Sequence, residues 1–230
     1  MTRPDLFPTA AAGSAAVSAK DTSASARRAA SRKSRCYDPL MRPRDATDML
    51  AGSGIEDLGP MIWADLGCGD GTFTVALAEV LAADSVIHAM DLDGSALRRI
   101  PSEHNQVRIT RHRGDFTKQP WPFADLDGIL MANSLHFVEK QDAFIRRCEP
   151  QMKPLRRFLI VEYDTSEASR WVPHPVSQTK LTALFERAGY SSRVLRSRPS
   201  IYRRAPLYAA AIERSPSEPP RQASAGCGSD

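Results

Sequence analysis

The chain has 230 residues, 42% of them apolar, enough to bury the core of one ordinary domain. No apolar run nears the roughly 18 residues that a membrane-spanning helix needs. The formal charge of +4 is concentrated at one end: residues 1–35 carry seven basic groups (Arg3, Lys20, Arg27, Arg28, Arg32, Lys33, Arg35) against Asp5 and Asp21, a net of +5 that leaves the rest near −1, so the high pI belongs to the tail and by itself is weak support for a nucleic-acid partner.

Residues 1–35 are rich in Ala, Ser and Arg, and a disordered basic tail is expected there. The composition is like that of a transit peptide, without the roughly 7–15 residue apolar core of a secretory signal. A helix is expected over residues 41–51, opened by Arg42-Pro43-Arg44-Asp45. Residues 61–66 read as a strand, 72–82 as a helix and 86–90 as a second strand. A short helix starts near Ser95, with Asp93 placed to cap it, and Pro101 stops it. Strands follow at 107–112 and 128–132, a helix at 139–148 and a fifth strand at 158–163. A helix at 177–188 is closed by Gly189, and two short strands at 194–195 and 207–212 finish the pattern. Residues 213–230 are rich in Pro, Ser and Gly and are expected to be loose. The four cysteines show no C-x-x-C spacing, so they read as reduced thiols in a cytoplasmic protein with no metal site.

Strands alternating with helices imply parallel βαβ units and an α/β, doubly wound sheet. Ligands of such sheets bind at the carboxyl ends of the strands, so the loops after Leu66, Met90, Arg113, Ala132 and Tyr163 are the ones to read. The first is Asp65-Leu66-Gly67-Cys68-Gly69-Asp70-Gly71-Thr72. Glycines at alternate positions permit positive φ and close approach of a ligand. The helix that follows offers unpaired N–H groups to an anionic group such as a carboxylate. A dinucleotide fingerprint needs its third small residue where Thr72 stands, but here the glycine comes one residue earlier. An acid at the end of the second strand, Asp91, can accept two hydrogen bonds from ribose hydroxyls, a feature shared with NAD-binding proteins.

The turn resembles motif I of the class I S-adenosylmethionine-dependent methyltransferases, an acid and an apolar residue followed by G-x-G-x-G. The resemblance covers about residues 40–212. It implies a Rossmann-like, doubly wound, mostly parallel seven-stranded sheet with helices on both faces and the last strand antiparallel. The domain is then expected at 36–212, between tails at 1–35 and 213–230. The implied cofactor is S-adenosyl-L-methionine, held by Asp65, Gly67, Cys68, Gly69 and Gly71, by Asp91 and Leu92, by Asp115 and Phe116 beside the adenine, and by Asn133. The implied reaction is direct, in-line methyl transfer to a small-molecule acceptor. Asn133-Ser134-Leu135-His136-Phe137 resembles the exit loop of small-molecule enzymes, and Asn133 and His136 are the catalytic candidates. His136 can serve as a general base or simply pack beneath the cofactor. Glu162, Tyr163 and Asp164 can orient an acceptor or stabilise their loop, and Trp171 and His174 lie in a Pro-rich stretch that reads as a lid or as surface packing. Arg42 or Arg44 can meet the cofactor carboxylate or stay solvated.

One departure stands in Lys153-Pro154-Leu155-Arg156-Arg157, where the family usually reads K-P-G-G, so a rebuilt turn is expected. The rival functions are an NAD-binding Rossmann oxidoreductase, a non-catalytic cofactor-binding regulatory subunit, and an RNA methyltransferase assisted by the basic tail. A monomer or homodimer is expected, with no membrane or nucleic-acid partner.

Overall fold

The central strands carry nearly continuous runs of apolar side chains, and such runs produce a sheet with two buried faces. In the computed structural model of the chain, residues 41–118, 120–200 and 205–214 are described. The expected tail at 1–35, and the part of the C-terminal one from residue 215 onward, lie outside them. The strands are Ile62–Leu66 (β1), Val86–Asp91 (β2), Glu103–His104 (β3), Val107–Arg113 (β4), Leu126–Ala132 (β5), Met152–Tyr163 (β6), Tyr190–Arg198 (β7) and Leu207–Arg214 (β8). They form one sheet in the order β3-β4-β2-β1-β5-β6-β8-β7. The pairings β4-β2, β2-β1, β1-β5 and β5-β6 are parallel, and β8 runs antiparallel to both its neighbours. The expected doubly wound sheet with an antiparallel last strand is therefore present. It has eight strands rather than seven, because the two-residue β3 adds an antiparallel edge to β4. A strand that short carries no period to read.

Among the described residues five α-helices cover the sheet: Pro43–Leu50 (α1), Thr72–Val80 (α2), Gly94–Leu97 (α3), Gln141–Cys148 (α4) and Gln178–Glu186 (α5). Ala46, Met49 and Leu50 of α1 and Phe73, Ala76 and Leu77 of α2 pack on the face that carries Trp63, Leu130 and Leu159. Phe144, Ile145 and Cys148 of α4 and Leu181, Leu184 and Phe185 of α5 pack on the opposite face with Ile129, Met131 and Ile160. Burial pushes the Cys148 thiol far up, which makes it an inert core residue.

Between β4 and β5 the described residues form no helix. Phe116, Trp121 and Phe123 cover that part of the sheet instead. Phe123 stacks on His88 with centroids 4.9 Å apart, and His88 Nδ1 lies 3.0 Å from His112 Nε2. Burial, helped by the neighbouring His112 and Arg108, holds His88 down to about 4 from its ordinary 6.5. The unfolded chain therefore takes up a proton near pH 6.5 that the folded chain refuses until about pH 4. Stability is full above this window and falls as pH drops through it. Because His88 is half-exposed, about 1–2 kcal/mol is expected rather than the full shift. Melting curves between pH 7 and pH 4.5 should show wild type losing more than His88→Phe; superimposable losses would remove the imidazole pair as the cause.

The stretch Lys153–Arg157 does not turn. It is drawn into β6, and no residue in it has positive φ. The register jumps instead. Leu126 pairs with Met152 and Gly128 with Arg157, two steps on β5 against five on β6. Lys153 Nζ reaches Asp127 Oδ2 at 2.7 Å, and the same oxygen accepts the Ile62 N–H at 2.8 Å, so the irregularity is pinned to β1 and β5. At the other end β8 runs through Glu213 and Arg214, two residues beyond the expected limit at 212. Arg214 is held there by Glu149 at 3.1 Å.

Candidate active site

Strand order reverses at β1, with β2 on one side and β5 on the other, and the loops leaving β1 and β5 border the crevice that this reversal creates. After β1 the Gly67 and Cys68 N–H groups both donate to Met90 O, at 2.8 and 3.1 Å, which folds the loop back over the end of β2. Gly67, Gly69 and Gly71 all take positive φ, at 80°, 59° and 90°. A Cβ on Gly71 would stand 2.7 Å from Ile100 Cγ1, so both backbone and packing demand glycine there. A Cβ on Gly69 would meet nothing within 4 Å, so this part of the turn lies open. Asp65 is buried and accepts the Thr74 hydroxyl at 2.6 Å, tying α2 to the end of β1.

Asp91 ends β2 and turns back to the glycines. Its Oδ2 accepts the Gly69 N–H at 2.8 Å and its Oδ1 accepts the Asp93 N–H at 2.9 Å. Asp93 caps α3 as expected, accepting the N–H groups of Ser95 and Ala96 at 2.8 and 3.3 Å. Leu92 is half-buried beside them.

After β4, Asp115 Oδ1 accepts the Thr117 N–H at 3.0 Å and hydroxyl at 2.6 Å, and Oδ2 lies 3.1 Å from Lys118 Nζ. Burial works against the Asp115 charge, but the bonds from Thr117 and Lys118 outweigh it and hold the carboxyl below its usual range. Phe116 is buried, edge-on to Phe144 at 5.9 Å. The helix-free connection thus places one neighbour on the polar rim and the other in the core.

After β5, Asn133 sits at φ 52°, a left-handed conformation that a non-glycine residue adopts at a cost of order 1–3 kcal/mol. Its N–H donates to Val161 O at 2.8 Å, and Ser134 Oγ donates to Leu66 O at 2.7 Å, joining β5, β6 and β1. Asn133 Oδ1 is buried with no hydrogen-bond partner among the described residues. His136 and Glu162 are both 0% exposed. Glu162 Oε1 accepts the His136 N–H at 3.1 Å, and Oε2 lies 2.6 Å from Nδ1 of the ring.

Residues 64–154 match the family model described as a methyltransferase domain. Residues 64–154 thus carry a methyltransferase domain. Solved structures agree on the fold. A SAM-dependent methyltransferase from Aquifex aeolicus superimposes with TM-score 0.57 at 18% identity, over 79% of this chain and 97% of that one. The 1,6-didemethyltoxoflavin-N1-methyltransferase of Burkholderia thailandensis gives 0.59 at 18% identity, over 93% and 94%. The magnesium protoporphyrin IX methyltransferase of Synechocystis gives 0.53 at 14%, over 83% of each chain. No curated protein matches this sequence.

Within the methyltransferase domain the structure brings Gly69 and Asp91 into direct contact and sets Asn133 across the strand reversal from them. Arg42 does not turn toward the glycines. It is largely exposed and forms a two-pronged pair with Asp45, at 3.0 Å for each bond. That pair, side-chain hydrogen bond first, lowers Asp45 to about 2. Asp164 resolves as loop-stabilising, for it accepts the Gln178 N–H at 2.9 Å and side-chain amide at 2.8 Å at the start of α5.

Two further side chains hold the turn that carries His136. Glu162 grips the turn that carries His136, and Gln141 bridges that turn to the segment after β6, donating to Leu135 O at 3.4 Å and His174 O at 2.9 Å. The His174 N–H donates to His136 O at 3.1 Å, which binds the expected lid to the exit of β5. Sequence showed a polar triplet at the end of the fifth strand, but only the β5–β6 pairing selects Glu162 from it. Trp171 is half-buried against the core face that Cys68 and Ala132 also join, with the Arg170 guanidinium 5.3 Å from its ring. Among the described residues no group of three or more His, Cys, Asp or Glu is placed to hold a metal ion, and no helix is long and apolar enough to cross a membrane.

Proposed function

We propose that this methyltransferase moves the methyl group of S-adenosyl-L-methionine to a small-molecule acceptor by in-line displacement. The observation that carries the reading is the Asp91 carboxylate lying against the open glycine turn, hydrogen-bonded to the Gly69 N–H. The residues present fit the donor. The turn is open at Gly69, where a side chain would meet nothing, and α2 starts directly after Gly71 with its first N–H groups directed at the turn. The buried Asn133 Oδ1 supplies an unused acceptor on the β5 side.

In this reading Gly67, Cys68, Gly69 and Gly71, with Asp65 behind them, hold the aminoacyl end. Asp91, which also holds the Gly69 and Asp93 N–H groups, takes the ribose hydroxyls. Leu92, Asp115 and Phe116 border the adenine, and Asn133 and His136 stand at the methyl end. When bound, the sulfonium supplies a methyl carbon that is already electrophilic. The protein's part is alignment of the acceptor, which can contribute about 7–11 kcal/mol. The small-molecule reading is supported by the intact Asn133–Phe137 exit loop and by two fold neighbours named as methyltransferases of magnesium protoporphyrin IX and 1,6-didemethyltoxoflavin. The position of Gly71 and the family model both speak for methyl transfer over an NAD-dependent reaction. A cytoplasmic location and a monomer or homodimer complete the proposal.

Calorimetric titration with S-adenosylhomocysteine tests it. Saturable binding is expected, and ligand at 100 times its dissociation constant should stabilise the fold by about 2.7 kcal/mol. Neither heat nor a thermal shift at millimolar ligand would falsify the assignment.

A further inference from the structure

We propose that Arg198 binds a carboxylate of the methyl acceptor, so that the substrates are carboxylic acids with an apolar, aromatic body; this rests on the methyl-transfer reading above. A cavity of about 340 Å³, within the size range of small-ligand sites, lies where β7 ends and β8 begins, lined by Ser197, Arg198, Pro199, Ser200 and Pro206. Strand register puts it at the ligand end of the sheet. Arg198 pairs with Leu207 on β8, and Leu207 pairs with Tyr163, the last residue of β6. Two residues back on β6, Val161 pairs with Ala132, directly before Asn133. The cavity thus lies level with the exit of β5.

Paired residues point to the same side of a sheet, so Arg198 shares the face of Leu207. Its contacts agree. Nη1 donates to Met41 Sδ at 3.2 Å and lies 3.5 Å from Asp45 Oδ2 on α1. Neither contact satisfies the guanidinium. A thioether is a weak acceptor. Asp45 has a closer partner in Arg42, which bonds both of its oxygens at 3.0 Å. Along α1 and its cap, Arg42 and Arg44 balance Asp45 and Asp48, so Arg198 adds a positive charge with no counterpart on that helix. Both contacts run through Nη1, which leaves the rest of the fork for the two-pronged bond that a guanidinium makes with a carboxylate. The side chain is 32% exposed, so a ligand entering the cavity can reach it.

The distance to the methyl end sets the shape of the acceptor. Strands β6 and β8 separate β5 from β7, so Asn133 and Arg198 stand about 14 Å apart across the sheet at the usual strand spacing. The face between them is apolar: Tyr163 and Leu207 are buried in it, and Trp171 and Ala205 pack against it. An acceptor laid across this face carries its acid at the Arg198 end and its reacting atom at the Asn133 end.

A panel of hydroxy-, amino- and mercapto-substituted aromatic acids, each beside its carboxamide, tests the proposal. With methyl-labelled donor, kcat/KM for an acid should exceed that for its carboxamide at least about 30-fold, the discrimination that one two-pronged charged bond gives. Most of the difference should lie in KM. In Arg198→Met, which keeps an apolar stem, the ratio should collapse to within about three-fold. Arg198→Lys, charged but without the fork, should fall between the two. S-adenosylhomocysteine affinity should stay within a few-fold of wild type in both variants. A merely structural role for Arg198 would slow acid and carboxamide alike and leave their ratio standing, and that result would overturn the proposal. Label in carboxamides as readily as in acids, or in no member of the panel, would overturn it too. Failure of the wild type to bind S-adenosylhomocysteine would count against the cofactor site instead. Saturation-transfer spectra of the same acids on wild type and Arg198→Met would then still decide whether Arg198 holds them, with equal signals on the two proteins refuting it.

Discussion

Asp91→Ala should weaken S-adenosylhomocysteine binding by at least about 100-fold, since two hydrogen bonds to a carboxylate are worth about 1.5–3 kcal/mol each. The same change removes the acceptor for the Gly69 and Asp93 N–H groups, so the glycine turn should also loosen in the absence of ligand. The neighbour separates the two effects. Asp93 caps α3 without touching the glycines, and Asp93→Ala should cost about 1 kcal/mol of stability with affinity nearly unchanged. Calorimetry on both variants, with melting curves alongside, gives the comparison. If Asp91→Ala bound as tightly as wild type, the ribose would have to be held elsewhere and the site as built from β1 and β2 would be wrong.

Gly128→Ala should be the most damaging small substitution within the sheet. Gly128 on β5 pairs with Trp63 on β1, and the fully buried indole lies across it. An added Cβ would stand 2.4 Å from Trp63 Cη2 and Cζ2. Neither partner can move easily: β1 and β5 are both central strands, and Trp63 is also held through Nε1 on Met61 Sδ at 3.3 Å. A loss of about 3 kcal/mol is expected, at the upper end for overpacking. For a domain of this size that lowers Tm by roughly 6–12 °C. Trp63→Phe alone should also destabilise, by leaving a cavity, yet the double variant should lose less than the sum because the smaller ring admits the methyl group. Denaturant melts of the three variants measure the coupling. Additive losses would mean that the two residues do not oppose each other as described.

The parts of the site legible in sequence are those whose signal is local. Gly67, Gly69 and Gly71 stand between an apolar strand and an amphipathic helix, a conjunction that few structures other than a ligand-binding turn require. Asp93 announces its cap through the residues directly after it. The turn expected at Lys153–Arg157 shows the limit of such reading. Without glycines the chain stays extended, and the irregularity is absorbed by a register jump against β5 that no local signal announces. The stretch between β4 and β5 is similar: its aromatic residues reveal burial, but not that Phe123 would stack on His88 from a neighbouring strand.

By itself the sequence determined the alternation of strands and helices, the glycine turn and the acid that follows the second strand, because each is written within one helix period or one turn. Tertiary structure alone decided that Glu162 meets His136 across 26 residues of chain, since that contact exists only once β5 and β6 lie side by side. It likewise decided that Gly128 must yield to Trp63. Periodicity records which side of an element faces the core; which residue waits there is settled by the order in which strands pair, and that order is a property of the assembled sheet.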